Sequence, residues 1–208
     1  LMTPEAWCKG SSEESCMYVP VNTTAPVIDM LKGIIIQSGN DASKAMAQHI
    51  GGSETTFADL MNEEAKKLGM THSHFKNATG MPQEGHEASA EDLAKLAQAI
   101  IRGSQKYYGI YSQKQFTYNG ITQGNRNALL FTDPTVDGLK TGHTEEAGYS
   151  LAASALRDDM RLIAVVMGTK SMQARADQTR ELLNFGFGHF ENIVIAPKAQ
   201  VVGDVAVG

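Results

Sequence analysis

Residues 136–168, VDGLKTGHTEEAGYSLAASALRDDMRLIAVVMG, contain two runs of strand-forming residues that meet at Asp158–Asp159. Such runs on either side of a short polar turn predict a β-hairpin. The segment before this hairpin places a cation, a hydroxyl and a glycine together as Lys140, Thr141 and Gly142. A glycine in a strand lets a ligand approach the backbone closely, so these residues predict a strand edge that binds an anionic group. A solvated lysine beside an ordinary strand glycine is the alternative interpretation.

The rest of the chain surrounds this hairpin with helical patterns. Capping residues and apolar spacing predict four helices before it, and another pattern predicts a helix after it. A second hairpin is predicted in residues 114–123, where Asn119-Gly120 is a favoured two-residue turn. Helices that come early and antiparallel strands that come late indicate an α+β fold, with a helical cluster packed on an antiparallel sheet. The predicted helices cover residues 26–36, 41–52, 53–70, 88–103 and 172–187.

Length and composition restrict the class of protein. The chain has 208 residues, of which 42% are hydrophobic, enough for one domain or for one domain and the start of another. We expect residues 1–191 to form one domain, and the Val/Gly-rich residues 192–208 to begin a small β-rich domain. The net charge of -5 and the lack of a basic stripe argue against a nucleic-acid partner. No apolar run is long enough to span a membrane.

A second polar cluster, Ser38-Gly39-Asn40, lies between two predicted helices. Its hydroxyl could relay a proton, and its amide could hold the amide of a substrate. A simple helix-to-helix turn is the alternative, because Ser, Gly and Asn are the residues expected in such a turn.

The two clusters together belong to a known set of motifs. Ser-x-x-Lys, Ser-Asp-Asn and Lys-Thr-Gly mark β-lactamases and penicillin-binding proteins. The surrounding stretches LKGIIIQSGNDASKAMA, YNGITQGNRNALL and VDGLKTGHTEEAGYSLAASA resemble the low-molecular-mass penicillin-binding proteins that are D-alanyl-D-alanine carboxypeptidases. The resemblance runs from about Trp7 to Glu191. It implies a serine acyl-transferase on the β-lactamase/transpeptidase-like fold, which removes the terminal D-Ala from peptidoglycan stem pentapeptides and is acylated by β-lactam antibiotics.

The same resemblance implies a role for each matching residue. Ser38 would help move a proton to the leaving nitrogen, and Asn40 would bind the substrate amide and steady the catalytic lysine. Lys140 and Thr141 would meet the terminal carboxylate of the substrate. The backbone N–H of His143 would be one donor of the oxyanion hole. The other substrate-binding positions that the resemblance implies are Gly39, Gly142, Arg126 and Arg175.

The sequence departs from the family at the nucleophile. Ser-x-x-Lys should precede Ser-Gly-Asn, but the one match in the chain, Ser73 to Lys76, follows it. This match lies in a turn-like stretch, whereas a nucleophile and its lysine should share one turn of a helix. We therefore interpret it as a chance match. The nucleophile is expected upstream of Leu1, in an N-terminal part whose helix would fill the groove between the helical cluster and the sheet.

Cys8 and Cys16 are the two cysteines of the chain. Two unrelated thiols are expected of a cytosolic protein, and a disulfide of a protein in an oxidising compartment. The family resemblance favours the disulfide, because it implies the periplasm or the outer face of the bacterial cytoplasmic membrane. Association with the membrane would then require parts outside these 208 residues.

No cofactor and no metal are expected. His72, His74 and His86 lie close in sequence, but neither a cysteine nor a suitably spaced carboxylate accompanies them. Two other functions remain as alternatives. A β-lactamase on the same fold would need a general base for fast deacylation, and no segment suggests one. A non-catalytic module that binds the stem peptide would need the binding residues alone.

Overall fold

The computed structural model describes residues 1–9, 14–196 and 203, and within them a three-stranded sheet organises the fold. Strands β3 (Val136–Thr144), β4 (Gly148–Arg157) and β5 (Met160–Thr169) pair antiparallel in that order. The turn at Asp158–Asp159 confirms the predicted hairpin, because both residues have the positive φ that tight hairpin turns require. Among the described residues β3 pairs with β4 alone, so no described strand pairs with its other edge.

The helices confirm the α+β prediction. Ser53, Ser89 and Ser171 each cap a helix by accepting a backbone N–H two or three residues into its first turn. Two short helices, α5 and α6, were not predicted, since four residues give no periodic pattern. The helices are α1 (Val27–Lys32), α2 (Asn40–Gly51), α3 (Glu54–Lys67), α4 (Ala90–Gly103), α5 (Gln105–Tyr108), α6 (Leu129–Thr132) and α7 (Met172–His189).

The predicted hairpin of residues 114–123 is also present. It is formed by β1 (Gln115–Tyr118) and β2 (Ile121–Gly124), which turn at Asn119 and Gly120. Ser89 and Asp92, three residues apart at the start of α4, form only half of a capping box. Ser89 caps α4 by accepting the N–H of Asp92, but the Asp92 carboxylate binds His72 and Ser73 instead of returning to Ser89.

The first predicted helix differs from the expectation at its end. After α1 the backbone continues as a π-helix over Gly33–Gln37 and stops at Ser38, which is left-handed with φ 57° and ψ 38°. A single π-turn within a helix is rare and frequently marks a functional site. A left-handed serine is unfavourable, so the surrounding structure must hold Ser38 in place. No periodicity in the sequence announces this feature.

Two apolar cores support the two halves of the molecule. One lies between the sheet and helices α6 and α7, and the other joins the N-terminal segment to α1 and α2. The first core is built from Leu129, Leu130, Val136, Leu151, Ala153, Ala155, Ala164, Ala176 and Leu183. The second is built from Met2, Ala6, Met17, Val19, Met30, Ala42 and Ala45.

Most of the C-terminal region that was predicted to begin a β-rich domain lies outside the described residues. Residues 192–196 form no strand, and 197–202 and 204–208 are not described, so the β-rich start predicted for 192–208 remains a prediction. In the described part of the chain, no helix has both the length and the apolar character needed to cross a membrane.

Candidate active site

A cavity of about 600 Å³ lies between the Ser38-Gly39-Asn40 turn and the free edge of β3. It therefore brings together the two clusters that the sequence singled out, although about one hundred residues separate them. The predicted residues that line it are Ser38, Asn40, Arg126, Lys140, Thr141, Gly142, His143 and Arg175.

Ser38 and Lys140 form the direct contact between the two clusters. The ammonium of Lys140 donates to the Ser38 hydroxyl at 2.9 Å and to the carbonyl of Thr141 at 2.8 Å. The left-handed backbone of Ser38 turns the chain out of the π-helix at this point. A serine hydroxyl bonded to a lysine can pass a proton between that lysine and a group in the cavity.

The electrostatic surroundings of Lys140 disfavour its charged form. Desolvation of the ammonium, together with the nearby positive charges of Arg126 and Arg175, lowers the pKa of Lys140 to about 8. Positive charges held together in this way favour the binding of an anion. A lysine whose pKa approaches the working pH is also a common feature of functional sites.

The two arginines add to this unbalanced charge. Arg175 is only 4% exposed, and its guanidinium donates to the carbonyl of Arg126 at 3.1 Å. Within residues 1–9 and 14–196, neither arginine forms a salt bridge with a carboxylate, and nor does Lys140. The described lining of the cavity likewise includes no Asp or Glu. Buried charges are normally paired, so this cavity is suited to a ligand that brings a negative charge.

Close packing explains the glycine of the Ser-Gly-Asn turn. A Cβ on Gly39 would lie 2.9 Å from the Met17 nitrogen, so only glycine lets the N-terminal segment cross here. Asn40 follows, and its backbone N–H donates to the carbonyl of Ser15. The Asn40 side chain lines the cavity, and no described residue hydrogen-bonds to its amide, although the residue is only 6% exposed. That amide is available to a ligand.

Gly142, unlike the closely packed Gly39, has open space where a side chain would lie. A Cβ there would meet nothing within 4 Å, so the space on that face of β3 is open to a ligand. His143 follows on the strand, and its ring stacks on Tyr149 with 3.8 Å between centroids. The sequence did not single out Tyr149 or Ser15, which also line the cavity, because neither belongs to a motif.

Ser73 and Lys76 lie apart from the cavity and on no helix. The Ser73 hydroxyl donates to Asp92 at 2.9 Å and accepts the Ser89 N–H, while Lys76 is exposed. Burial favours the neutral form of Asp92, but hydrogen bonds from His72, Lys95 and Ser73 lower its pKa to about 2. Ser73 thus helps to hold a buried carboxylate, which supports the interpretation of this Ser-x-x-Lys as a chance match.

A second cavity, of about 280 Å³, lies between α4 and the inner face of the sheet. Its lining is almost wholly apolar, with Leu93, Leu96 and Ile100 from the helix facing Leu151 and Val165 from the sheet. It shares Lys140, Thr141 and Gly142 with the first cavity, so β3 lines both. A groove between the helical cluster and the sheet is where the sequence analysis expected one.

The remaining residues to place are the histidines and the two cysteines. Among the described residues, no group of three His, Cys, Asp or Glu side chains could hold a metal ion. His86 packs against Phe75 and accepts the N–H of Lys76, which gives it a structural role. Cys8 and Cys16 are joined in a disulfide, with their Cα atoms 6.1 Å apart.

Comparison with known proteins places this architecture in a family. The family model described as D-alanyl-D-alanine carboxypeptidase matches residues 2–171. D-alanyl-D-alanine carboxypeptidase DacD of Salmonella typhimurium is 44% identical over 204 residues, which cover 96% of this chain and 52% of the relative. Penicillin binding protein 5 of Haemophilus influenzae has a similar structure, with a TM-score of 0.87 and 40% identity over 90% of this chain and 55% of that one. DacD of Francisella tularensis gives a TM-score of 0.89 at 31% identity, over 93% of this chain and 59% of that one. The chain thus spans about half the length of the curated relatives it matches.

Proposed function

Because the chain belongs to the D-alanyl-D-alanine carboxypeptidase family, we propose that the protein containing it is a serine-type D-Ala-D-Ala carboxypeptidase. Its substrate would be the peptidoglycan stem pentapeptide, and its product the peptide shortened by one D-Ala. β-Lactam antibiotics would acylate the same site. In this proposal residues 1–191 belong to the catalytic domain, and residues 192–208 begin a β-rich one.

The unbalanced positive charge of the cavity is the observation that carries the proposal. Lys140, Arg126 and Arg175 converge on a space with no acidic residue in its described lining. A peptide that ends in a free carboxylate supplies the missing negative charge, and charge-assisted hydrogen bonds are the strong ones. The free edge of β3 offers backbone groups to such a peptide, as in other proteins that bind an extended strand.

The roles of the individual residues follow from their positions. Lys140 and Thr141 would hold the terminal carboxylate, with Arg126 and Arg175 supplying positive charge around it. Asn40 would bind the amide of the substrate, since no described residue hydrogen-bonds to its own amide. Gly142 leaves room for the peptide beside the strand, and Gly39 lets the Ser-Gly-Asn turn pack closely. The backbone N–H of His143 would donate to the oxyanion.

Ser38 would act as a proton relay in this scheme. A serine oxygen attacks the carbonyl carbon of the penultimate D-Ala, an ester forms, and the bond to the terminal D-Ala nitrogen breaks. The proton that the attacking serine hydroxyl gives up must reach that nitrogen, and the Ser38 hydroxyl, which Lys140 holds by a hydrogen bond, passes it on. Water then cleaves the ester and frees the serine. The described chain holds no helical Ser-x-x-Lys pair facing the cavity, so we assign Ser38 the relay and not the acyl-carrying role.

The proposed place of this reaction is the periplasm or the outer face of the bacterial cytoplasmic membrane. The substrate is a cell-wall precursor that is found there, and the Cys8–Cys16 disulfide is typical of an oxidising compartment.

The test is release of D-Ala by the full gene product that contains this chain. A peptide ending in D-Ala-D-Ala should be cleaved, and the same peptide with a C-terminal amide should be cleaved at least tenfold less efficiently, because it lacks the carboxylate. Equal cleavage of the two peptides would contradict the carboxylate site. The absence of cleavage with retained binding would indicate the non-catalytic module instead.

Labelled penicillin separates the remaining alternatives. A carboxypeptidase should keep a long-lived adduct, whereas a β-lactamase should hydrolyse the drug rapidly. Mass spectrometry of the labelled peptide tests the assignment of roles, since an adduct on Ser38 would make it the nucleophile and an adduct on Ser73 would overturn the chance-match interpretation.

A further inference from the structure

The short segment next to the disulfide crosses the candidate active site. Residues 14–19 run directly over the Ser-Gly-Asn turn, close enough that Gly39 has no room for a side chain. Ser15 lines the main cavity although it belongs to no motif. Its hydroxyl accepts a hydrogen bond of 2.7 Å from the guanidinium of Arg126.

The backbone of this segment is anchored firmly on the side of α2. The carbonyl of Ser15 accepts the N–H of Asn40 at 2.7 Å. The buried carboxylate of Asp41 accepts the N–H groups of Met17 and Val19 at 2.8 and 3.1 Å. These three hydrogen bonds to the backbone hold Ser15 and the residues after it in a fixed position.

Two further contacts and the disulfide also fix this segment in place. Gln123 donates to the carbonyl of Cys16 at 2.8 Å, and Glu14 pairs with Lys44. Cys16, the residue after Ser15, is 2% exposed and bonded to Cys8. A disulfide at this point restricts the conformations of the residue next to it.

Arg126 lacks comparable support for its side chain. Its backbone is fixed, because its carbonyl accepts from Arg175 and its neighbour Asn127 is buried and bonded to Gly138. Its side chain is exposed, and among the described residues Ser15 alone hydrogen-bonds to it. A free arginine side chain has many rotamers and loses entropy when it is ordered. A fixed partner therefore decides where the positive charge points.

We propose that Ser15, held by the segment that the Cys8–Cys16 disulfide closes, is a positioning residue that aims Arg126 at the carboxylate of the substrate. The inference rests on the proposed function, since it assigns a purpose to a carboxylate site. It adds a specificity role to a part of the chain that no motif marks. Ser15 makes no contact with the reacting atoms in this scheme and acts through Arg126.

The test is a double-mutant cycle with two ligands, measured by calorimetry on the full gene product whose acyl-carrying serine is replaced by alanine, so that neither ligand is cleaved. The ligands are a short peptide ending in D-Ala-D-Ala and the same peptide with a C-terminal amide. Ser15→Ala should weaken binding of the acid about three- to tenfold, the range of a single hydrogen bond, and leave binding of the amide unchanged. In the Arg126→Ala background, Ser15→Ala should change neither affinity.

Matched variants separate positioning from a general structural effect. Ser15→Thr keeps the hydroxyl and should bind the acid within about twofold of the unmodified protein. Ser112→Ala removes a surface hydroxyl whose one hydrogen bond to a described residue goes to a backbone carbonyl, and it should have no effect. Replacement of both cysteines by serine should lower affinity for the acid alone.

The outcomes keep the two proposals apart. If the unmodified protein does not prefer the acid, the carboxylate site itself is wrong. If it prefers the acid and Ser15→Ala keeps that preference, the positioning role is wrong. Equal losses for acid and amide, or equal losses with and without Arg126, would also overturn it. An unchanged preference in the protein without cysteines would remove the disulfide from the mechanism.

Discussion

Two serine–lysine pairs in this molecule invite comparison. Ser73 and Lys76 have the spacing of a nucleophile motif, but they lie on no helix and away from the cavity. Ser38 and Lys140 are about one hundred residues apart, yet their side chains are in contact at 2.9 Å. Chemistry requires the second kind of proximity, because a proton moves only between groups within hydrogen-bond reach.

The surroundings of the two lysines differ in the same way. Lys76 is exposed to solvent, where its charge is stabilised by water. Lys140 is desolvated and lies near two arginines, which lower its pKa to about 8. A charge held in such an unfavourable environment usually serves a function. Ser73, in turn, contributes its hydroxyl to the buried Asp92 and so serves the fold.

Replacing each of the two lysines by alanine should give the largest difference between the pairs, in the rate of acylation. Lys140→Ala removes a charge-assisted bond worth roughly 1.5–3 kcal/mol, so acylation by labelled penicillin should fall at least tenfold. The rate constant for acylation of the full gene product is the measurement.

Lys76→Ala is the matched control, because it removes the same charge from the exposed pair. Its acylation rate should stay within about twofold of the unmodified protein. Unchanged acylation in Lys140→Ala would show that the edge of β3 does not hold the carboxylate.

The pH dependence of binding should show a second, smaller difference. The pKa of Lys140 is lowered to about 8, so its positive charge is present below that pH and is lost above it. Affinity for a peptide ending in D-Ala-D-Ala should therefore begin to fall as the pH rises through about 8, by at most about tenfold per pH unit. Calorimetry across pH 6–10 measures this affinity, on the full gene product whose acyl-carrying serine is replaced by alanine.

Lys140→Ala should remove the fall in affinity above pH 8, whereas Lys76→Ala should retain it. A profile that remains identical without Lys140 would assign the titration to another group.

Ser73→Ala should affect stability and not activity. The change leaves Asp92 without one hydrogen bond and the Ser89 N–H without its acceptor, which should cost about 1–2 kcal/mol in the free energy of unfolding. Denaturant unfolding measures this loss, and penicillin acylation of the folded variant should be unchanged. A large loss of acylation in a stably folded Ser73→Ala protein would mean that the exposed pair takes part in the chemistry.

The sequence by itself predicted five of the helices, both hairpins and the family motifs that name the candidate site residues. Alternating and helical patterns, serine caps and the two turns at Asn119-Gly120 and Asp158-Asp159 are local signals, and local signals depend on neighbouring residues alone. The motifs around Ser38 and Lys140 likewise identified the family. The π-helix before Ser38 left no such signal in the sequence.

Only the tertiary structure decided which residues act together. Three features join segments that are far apart in the chain: the contact of Ser38 with Lys140, the cluster of Lys140 with Arg126 and Arg175, and the hydrogen bond from Arg126 to Ser15. Ser73 matched a motif and proved to be a partner of Asp92 for the same reason. Spacing along a chain fixes distances only within one helix or strand, whereas burial, charge and hydrogen-bond partners arise when separate elements pack together.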